Sequence, residues 1–272
     1  MPKKRLLVKD IMSKPGVAIS KDEIVSVALD LMERKDVTHL LVLDKERGLV
    51  GILTAREIMD GLGSYRFQKI QARRIYVSAL MTEPPIVIEE DEDVRKATDT
   101  MISQGLEMIP VTRGSDVVGV VSETDVLKLL RDGNETTADS LMNPKHPRID
   151  PGQRIVHART VMLETQSRLL PVCSGDKLLG IVTEMALAKA FYQVRENFPS
   201  RIMDSVVRRI IVEDVMLENP PSLRASDKLG KIIQTIVSSG LPAIPVVDSR
   251  MHLLGVLERR SLLRKFLSKH KV

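Results

Sequence analysis

The sequence predicts an α/β protein built from four repeats of a β-α-β-β-α unit, and two landmarks carry that reading. A short segment closing on methionine recurs at Lys9-Asp10-Ile11-Met12, Ser78-Ala79-Leu80-Met81, Asp139-Ser140-Leu141-Met142 and Glu213-Asp214-Val215-Met216. A strand running through a glycine recurs at Gly51-Ile52-Leu53-Thr54, Gly119-Val120-Val121-Ser122, Gly180-Ile181-Val182-Thr183 and Gly255-Val256-Leu257-Glu258. The methionines are 69, 61 and 74 residues apart and the glycines 68, 61 and 75. Two independent markers keeping one period is the signature of tandem units.

The second block shows the elements most plainly. Pro85 to Ile88 reads as a short extended run. Val94, Ala97 and Met101 recur at i, i+3 and i+7, an amphipathic helix opened by acidic residues. Met108 to Thr112 reads as a strand, Arg113 to Asp116 as a turn and Val117 to Val121 as the return strand of a hairpin. Val126, Leu127 and Leu130 mark the apolar face of a closing helix. Hairpin turns in the other blocks fall near Asp44 to Gly48, Ser174 to Lys177 and Asp248 to Met251.

A higher-order duplication overlies the repeat. Arg73-Arg74-Ile75 ahead of Met81 and Pro84-Pro85 is echoed by Arg208-Arg209-Ile210 ahead of Met216 and Pro220-Pro221. Block two therefore resembles block four, and the chain reads as a doubled pair: one with two, three with four, in a flat disc. Long connections fall inside each pair, at about residues 62–76 and 191–211, and the link between pairs, Asp132 to Thr137, is short and polar.

Composition narrows the function classes. Hydrophobic residues make up 43% of the chain, but there is no Trp and only three Tyr and four Phe. That suits aliphatic strands and argues against sites built from stacked aromatics. Cys173 is the single cysteine, which excludes an internal disulfide and Cys-rich metal sites, and reads as a small apolar strand residue in a reducing compartment. No apolar run long enough to span a membrane and no signal peptide is evident, so a cytoplasmic protein is expected. The net charge of +5 is modest and more often describes a mixed surface than a nucleic-acid binder. The five histidines have no paired metal-ligand spacing, and no phosphate loop, nucleophile elbow or zinc motif is present. No enzyme activity, metal or catalytic cofactor is expected, and the 13 methionines read as core.

The chemistry concentrates at the strand-to-helix junctions. In block two Ser122 stands where a helix N-cap belongs and Asp125 follows three residues on. Such a pair can satisfy the free N–H groups of the first turn, or it can face a ligand diol such as a ribose. Block one has Thr54 and Glu57, a capping box, with Arg56 between them. Block three has Thr183 but Ala186 in place of the carboxylate, and block four has Glu258 and Ser261.

With the Ile109-Pro110-Val111, Leu170-Pro171-Val172 and Ile244-Pro245-Val246 strands, these junctions resemble CBS domains, the modules named after cystathionine beta-synthase. The resemblance spans Val8 to Leu263 and implies CBS domains at 8–60, 77–131, 138–190 and 212–267, paired into two Bateman modules. Chains of this kind are similar to the gamma subunit of AMP-activated protein kinase and to stand-alone archaeal proteins. The resemblance implies that the Ser/Thr and Asp of the junction hold the ribose of an adenine nucleotide, AMP, ADP or ATP, and that the paired block completes the pocket. On that basis the first site is Ser122 and Asp125 with Ser13, Val17 and Ala18 from the opening strand of block one, and Val37, Thr38 and His39 before its second strand. His39 and Thr38 would meet a phosphate; the bland alternative makes His39 a surface imidazole and Ser122 only a cap. Weaker sites are Thr54, Arg56 and Glu57, opposed by Glu107 and Met108 from block two, and Thr183, Arg168 and Arg260, with Arg259, as phosphate contacts or solvated charges. A module that binds nucleotide and signals energy state to a regulated protein partner is the leading expectation, with a homodimer left open. One alternative ligand class is S-adenosylmethionine or methylthioadenosine. Another is nucleic acid, bound through Arg66-Phe67-Gln68-Lys69, Arg73-Arg74 and the tail from Arg264 to Lys271.

Overall fold

The computed structural model describes residues 5–14, 16–130 and 136–269. The basic residues at 1–4, linker residues 132–135 and tail residues 270–271 lie outside them.

Block one forms β1 (Ala18–Ser20), α1 (Val25–Lys35), β2 (His39–Leu43), β3 (Leu49–Thr54) and α2 (Ala55–Gly63). Block two forms β4 (Ile88–Glu89), α3 (Val94–Gln104), β5 (Met108–Arg113), β6 (Asp116–Ser122) and α4 (Glu123–Leu127). Block three forms α5 (Ile155–Thr165), β7 (Leu169–Ser174), β8 (Lys177–Thr183) and α6 (Glu184–Asn197), followed by α7 (Ser200–Val207). Block four forms β9 (Leu217–Glu218), β10 (Leu223–Arg224), α8 (Leu229–Ser239), β11 (Ala243–Val247), β12 (Leu253–Glu258) and α9 (Arg259–Lys269).

Blocks one, two and four each own a small three-stranded sheet. Its opening strand runs parallel to the central one, as Ala18 opposite Leu41 or Ile88 opposite Val111, and the central strand pairs antiparallel with the last. Val94, Ala97 and Met101 are buried along α3, as their spacing predicts, and Cys173 is buried in β7.

Three details differ from the sequence expectation. The extended run at Pro85 to Ile88 yields a strand only at Ile88–Glu89. Residues before Ile88 are not in register with β5, whose pairing begins Ile88 to Val111. Block three opens with a single bridge, Ile149 to Val172, and the third strand of its sheet is β9 from the start of block four. α4 stops at Leu127, although Leu130 beyond it is still buried.

The paired blocks exchange their opening turns. Val8 N–H donates to Glu92 O at 2.8 Å and Val77 N–H to Glu23 O at 2.8 Å. Ala138 N–H donates to Asp227 O at 3.0 Å and Val212 N–H to Gln153 O at 2.8 Å. Blocks one and two are thus laced together, as are three and four, which is the predicted pairing. The exchange accounts for both sequence landmarks. The methionine that opens one block lies on the strand glycine of its partner: Met12 on Gly119, Met81 on Gly51, Met142 on Gly255 and Met216 on Gly180. At Gly119 a Cβ would stand 2.6 Å from the Ser13 carbonyl oxygen and 3.0 Å from Met12 Sδ, so only glycine fits.

The two modules then meet through helices. α2 packs on α6, joining blocks one and three, and α9 packs on α4 and α3, joining four and two. One core spans blocks one and three and includes Ile75, Val77, Leu80 and Val212 from the exchanged openings. The other spans blocks two and four and includes Val8 and Ala138. The four blocks close into a ring, the arrangement a disc requires. Arg195, 5% exposed, ties the ring by donating to Leu62 O at 2.7 Å and Ile70 O at 3.1 Å, carbonyls left free where α2 ends and its linker begins.

Gly119→Ala is expected to cost about 1–3 kcal/mol, because the added methyl meets backbone rather than a side chain that can yield. A urea midpoint equal to that of the parent chain would show that the exchanged segment does not press on β6.

Candidate functional site

Every block repeats one junction. The first N–H of each closing helix donates to the carbonyl just ahead of that block's central strand. Ala55 donates to Thr38 at 3.0 Å, Glu123 to Glu107 at 2.8 Å, Glu184 to Arg168 at 3.3 Å and Arg259 to Pro242 at 3.2 Å. This fixes two side chains per block, one from each side of the bond, near where the blocks meet.

At the block-two junction the cap and the candidate ligand group are the same atoms. Ser122 Oγ accepts from Asp125 N at 3.3 Å, and Asp125 Oδ2 accepts from Ser122 N at 2.9 Å and Ser122 Oγ at 2.6 Å. Asp125 Oδ1 accepts from Ser13 Oγ at 3.3 Å, and Lys128 Nζ lies 3.9 Å away. Asp125 is 7% exposed. Ser13 was expected on the opening strand of its own block. It lies before β1 and bridges to Val120 of β6, because the exchanged opening carries it into block two.

Val17 precedes β1, its carbonyl accepting from Leu41 N at 2.9 Å, and Ala18 begins β1. Gly16 joins the two sets of residues: a Cβ there would stand 3.1 Å from Val120 and 3.6 Å from Leu41. Val37 and Thr38 lead into β2, which starts at His39. Among the described residues no hydrogen bond links Val37, Thr38 or His39 to Asp125. His39 is not a surface imidazole. Its Nε2 stands 3.0 Å from Glu107 Oε2 and its Nδ1 2.9 Å from Thr38 Oγ1. The carboxylate can only accept, so Nε2 carries the proton and Nδ1 can accept from the threonine hydroxyl.

The block-one junction is a capping box: Thr54 N donates to Glu57 Oε2 at 3.0 Å, and Arg56 N to Thr54 Oγ1 at 3.2 Å. Arg56 does not face an open cleft. It reaches the other module, 2.7 Å from Glu184 Oε1 and 3.2 Å from Ser167 O. Thr183 caps α6 by accepting from Ala186 N at 3.2 Å.

Where the four blocks converge there is a buried charge cluster. Arg168 Nη1 lies 2.7 Å from Glu107 Oε1 and 3.3 Å from Glu123 Oε2, and its Nη2 donates to Gly105 O at 2.8 Å. Arg260 Nη2 donates to the same carbonyl at 3.2 Å. Arg259 donates to Leu241 O at 2.9 Å and Thr124 Oγ1 at 2.9 Å. These arginines are not solvated surface charges. Glu123, Glu184 and the linking role of Arg56 were not anticipated. The signal lay in the motif: in blocks two, three and four the first residue after the junction, Glu123, Glu184 or Arg259, is charged and joins the cluster, while in block one the second, Arg56, does.

The environment sorts the carboxyls. Burial pushes Glu107 up, but Arg168 and then His39 outweigh it and hold it well below the usual range. Burial raises Glu123, opposed by Arg168, and its Oε1 is buried with no hydrogen-bond partner. Burial carries Glu184 to about 7 against the pull of Arg56. Arg56 lies close to Glu184 Oε1, but the two are not aligned as a hydrogen bond.

The CBS-domain family model matches residues 8–64, 77–132, 138–193 and 212–268. The chain belongs to the CBS-domain family. The uncharacterised protein MJ1225 of Methanocaldococcus jannaschii is 24% identical, over 96% of this chain and 98% of its own. Its crystal structure, described as that of a candidate archaeal homolog of g-AMPK, superposes with a TM-score of 0.83 at 23% identity, covering 96% of this chain and 100% of its own. Two solved CBS proteins that cover about half of this chain hold ligands. CBSX2 is in complex with AMP (24% identity, TM-score 0.41, 50% of this chain and 98% of its own). The CBS pair of MJ0100 is in complex with 5-methylthioadenosine and S-adenosylmethionine (28%, 0.41, 46% and 95%).

Glu184 makes stability depend on pH. Its folded-state value of about 7 lies above the ordinary 4.5, so between those limits the native state binds more protons than the unfolded chain and stability falls as pH rises. The loss, on the order of 1–3 kcal/mol, is complete above the folded value. Glu184→Gln is expected to flatten this part of the profile in urea titrations between pH 5 and 8. A profile as steep as that of the parent would assign the slope to other groups.

Proposed function

We propose that the chain is a non-catalytic regulatory module. Its four domains, 8–60, 77–131, 138–190 and 212–267, bind an adenine nucleotide in a cleft between paired domains and pass its occupancy to a protein partner. The observation that carries this reading is the meeting of Ser13 with Ser122 and Asp125 at a junction shared by two blocks. A ribose diol can take the place of the Ser13 hydroxyl at Asp125 Oδ1 while Oδ2 keeps its cap bonds. Thr38, just ahead of β2, and His39, at its start, supply polar groups toward a phosphate, and Val17, Ala18 and Val37 an apolar wall for the base. Mechanistically, ligand bridging two domains favours one relative orientation only to the extent that it binds that orientation better. Among the described residues no group of His, Cys, Asp or Glu could hold a metal, and no helix is long and apolar enough to cross a membrane.

Adenosyl compounds without phosphate form the second ligand class. It is favoured by Glu107, whose carboxylate already occupies both His39 and Arg168. A calorimetric panel of AMP, ADP, ATP, S-adenosylmethionine and methylthioadenosine separates the two classes.

Asp125→Asn tests the site itself. As one partner of a capping box Asp125 is worth on the order of 1 kcal/mol. As an ionised acceptor of ribose hydroxyls it is worth about 1.5–3 kcal/mol, or more than tenfold in affinity. The expected outcome is a loss of more than tenfold in AMP affinity with a melting temperature within a few degrees of the parent. Unchanged affinity with lowered stability would leave Asp125 as a helix cap alone.

A further inference from the structure

The repeat makes two flanks of the ring equivalent, and the structure treats them differently. On one flank α1 of block one faces α6 of block three, and the turn Ala72–Arg74, with Ala72 buried, packs against both. Two side-chain contacts shut this flank. Lys189 Nζ lies 2.9 Å from Glu33 Oε1, and Tyr192 is hydrogen-bonded to Ser26. On the other flank α3 of block two packs on α9 of block four. At the same helix positions it carries Ile102 for Glu33, Arg95 for Ser26, Arg264 for Lys189 and Leu267 for Tyr192. Neither contact can be repeated, because Arg264 would have to bond Ile102, and Arg95 would have to bond Leu267.

The second flank is therefore an open groove of about 630 Å³, lined by α3 and α9 alone. Ile102 and Leu267, both half-buried, supply its apolar surface, and Arg95, Lys96 and Arg264 its cations. Lys96 pairs with Glu92 one turn away on its own helix. Among the described residues neither Arg95 nor Arg264 has a carboxylate within ion-pair distance, and Asp99 is the one carboxylate on the lining. Small-molecule sites are enclosed mainly by apolar and aromatic groups. Two apolar residues between cationic rims, set along a pair of packed helices, fit instead the apolar face of a third helix whose edges carry negative charge.

We propose that the α3–α9 groove docks the regulated protein through an acidic amphipathic helix, with apolar side chains on Ile102 and Leu267 and carboxylates toward Arg95 and Arg264. The proposal rests on the regulatory reading for its protein partner, but none of the groove residues belongs to the Ser13, Ser122 and Asp125 set. α9 also packs on α4, whose first turn Asp125 caps, so one helix touches both the docking groove and the nucleotide junction.

The test uses a fluorescein-labelled, alanine-based peptide of about 18 residues, long enough to form a helix, with leucines spaced i, i+4 and glutamates on either side of them. Its anisotropy is followed against the full chain. The acidic peptide should bind, less tightly as salt rises, and the same peptide with lysine for glutamate should not. Arg95→Glu with Arg264→Glu should weaken the acidic peptide by about tenfold and admit the lysine peptide, an exchange that misfolding cannot produce. Arg95→Ser, Ile102→Glu and Leu267→Tyr together copy the closed flank. They should abolish peptide binding, with AMP affinity unchanged and a melting temperature within a few degrees of the parent. No binding of the acidic peptide, or equal binding to the parent and the charge-reversed chain, would overturn the proposal. So would a labelled single-stranded DNA that binds the parent more tightly than the peptide and is lost in the same variants, which would assign the groove to nucleic acid. A dimer of the parent that the closed-flank variant abolishes would overturn it in favour of a second copy. AMP binding without peptide binding sinks the groove alone, and peptide binding without AMP binding sinks the nucleotide site alone.

Discussion

The close approach of an exchanged backbone to a strand glycine is the constraint on which the rest depends. In all four blocks the glycine of the last strand faces the carbonyl and methionine of the partner's opening turn, with an added Cβ falling 2.6 to 2.9 Å from that backbone. Small isolated sheets of three short strands have little independent stability. Lacing each one with a segment of its partner buries Val8, Val77, Ala138 and Val212 in cores their own blocks do not own. The two members of a pair therefore share their cores' edges, with a cleft left between them.

The same lacing places function beside structure. Because the opening turn crosses over, Ser13 arrives at Asp125, and a single carboxylate both caps α4 and offers an edge to the cleft. An acceptor fixed by two bonds from its own helix is preorganised: its geometry does not have to be created when a hydroxyl donor arrives. At Thr54 and Glu57 the same capping chemistry occurs, but Arg56 beside it is committed to Glu184 of the other module. The junctions of blocks one and two thus share their capping chemistry, while Arg56 beside the first joins the two modules.

The centre of the ring is the second consequence. Four closing helices begin there, each tied by its first N–H to the entry of a central strand, and their positive ends converge. Glu123 and Glu184 at helix first positions meet that field, and Arg56, Arg168, Arg259 and Arg260 come in from the other blocks. Buried ionic clusters are weak sources of net stability, yet removing one member is costly. Such a cluster specifies which helices face each other, and it links the clefts: Glu107 of block two touches His39 of block one and Arg168 of block three.

The repeat, the pairing of one with two and three with four, the helix faces and the capping boxes were legible in the sequence. Each is a local pattern or a spacing: Met12 to Met81, Val94 to Met101, Thr54 to Glu57. Local hydrogen bonds and burial periodicity act over a few residues, so the chain order displays them directly. The sequence did not show that Ser13 leaves its own block, that Arg56 serves Glu184, or that Arg259 and Arg260 come inside to bond uncharged groups. Those outcomes join residues more than a hundred positions apart, such as Ser13 with Asp125 and Arg56 with Ser167. They are decided by how whole sheets and helices pack, because only that packing sets which charged side chains lose their water and which partner is near enough to replace it.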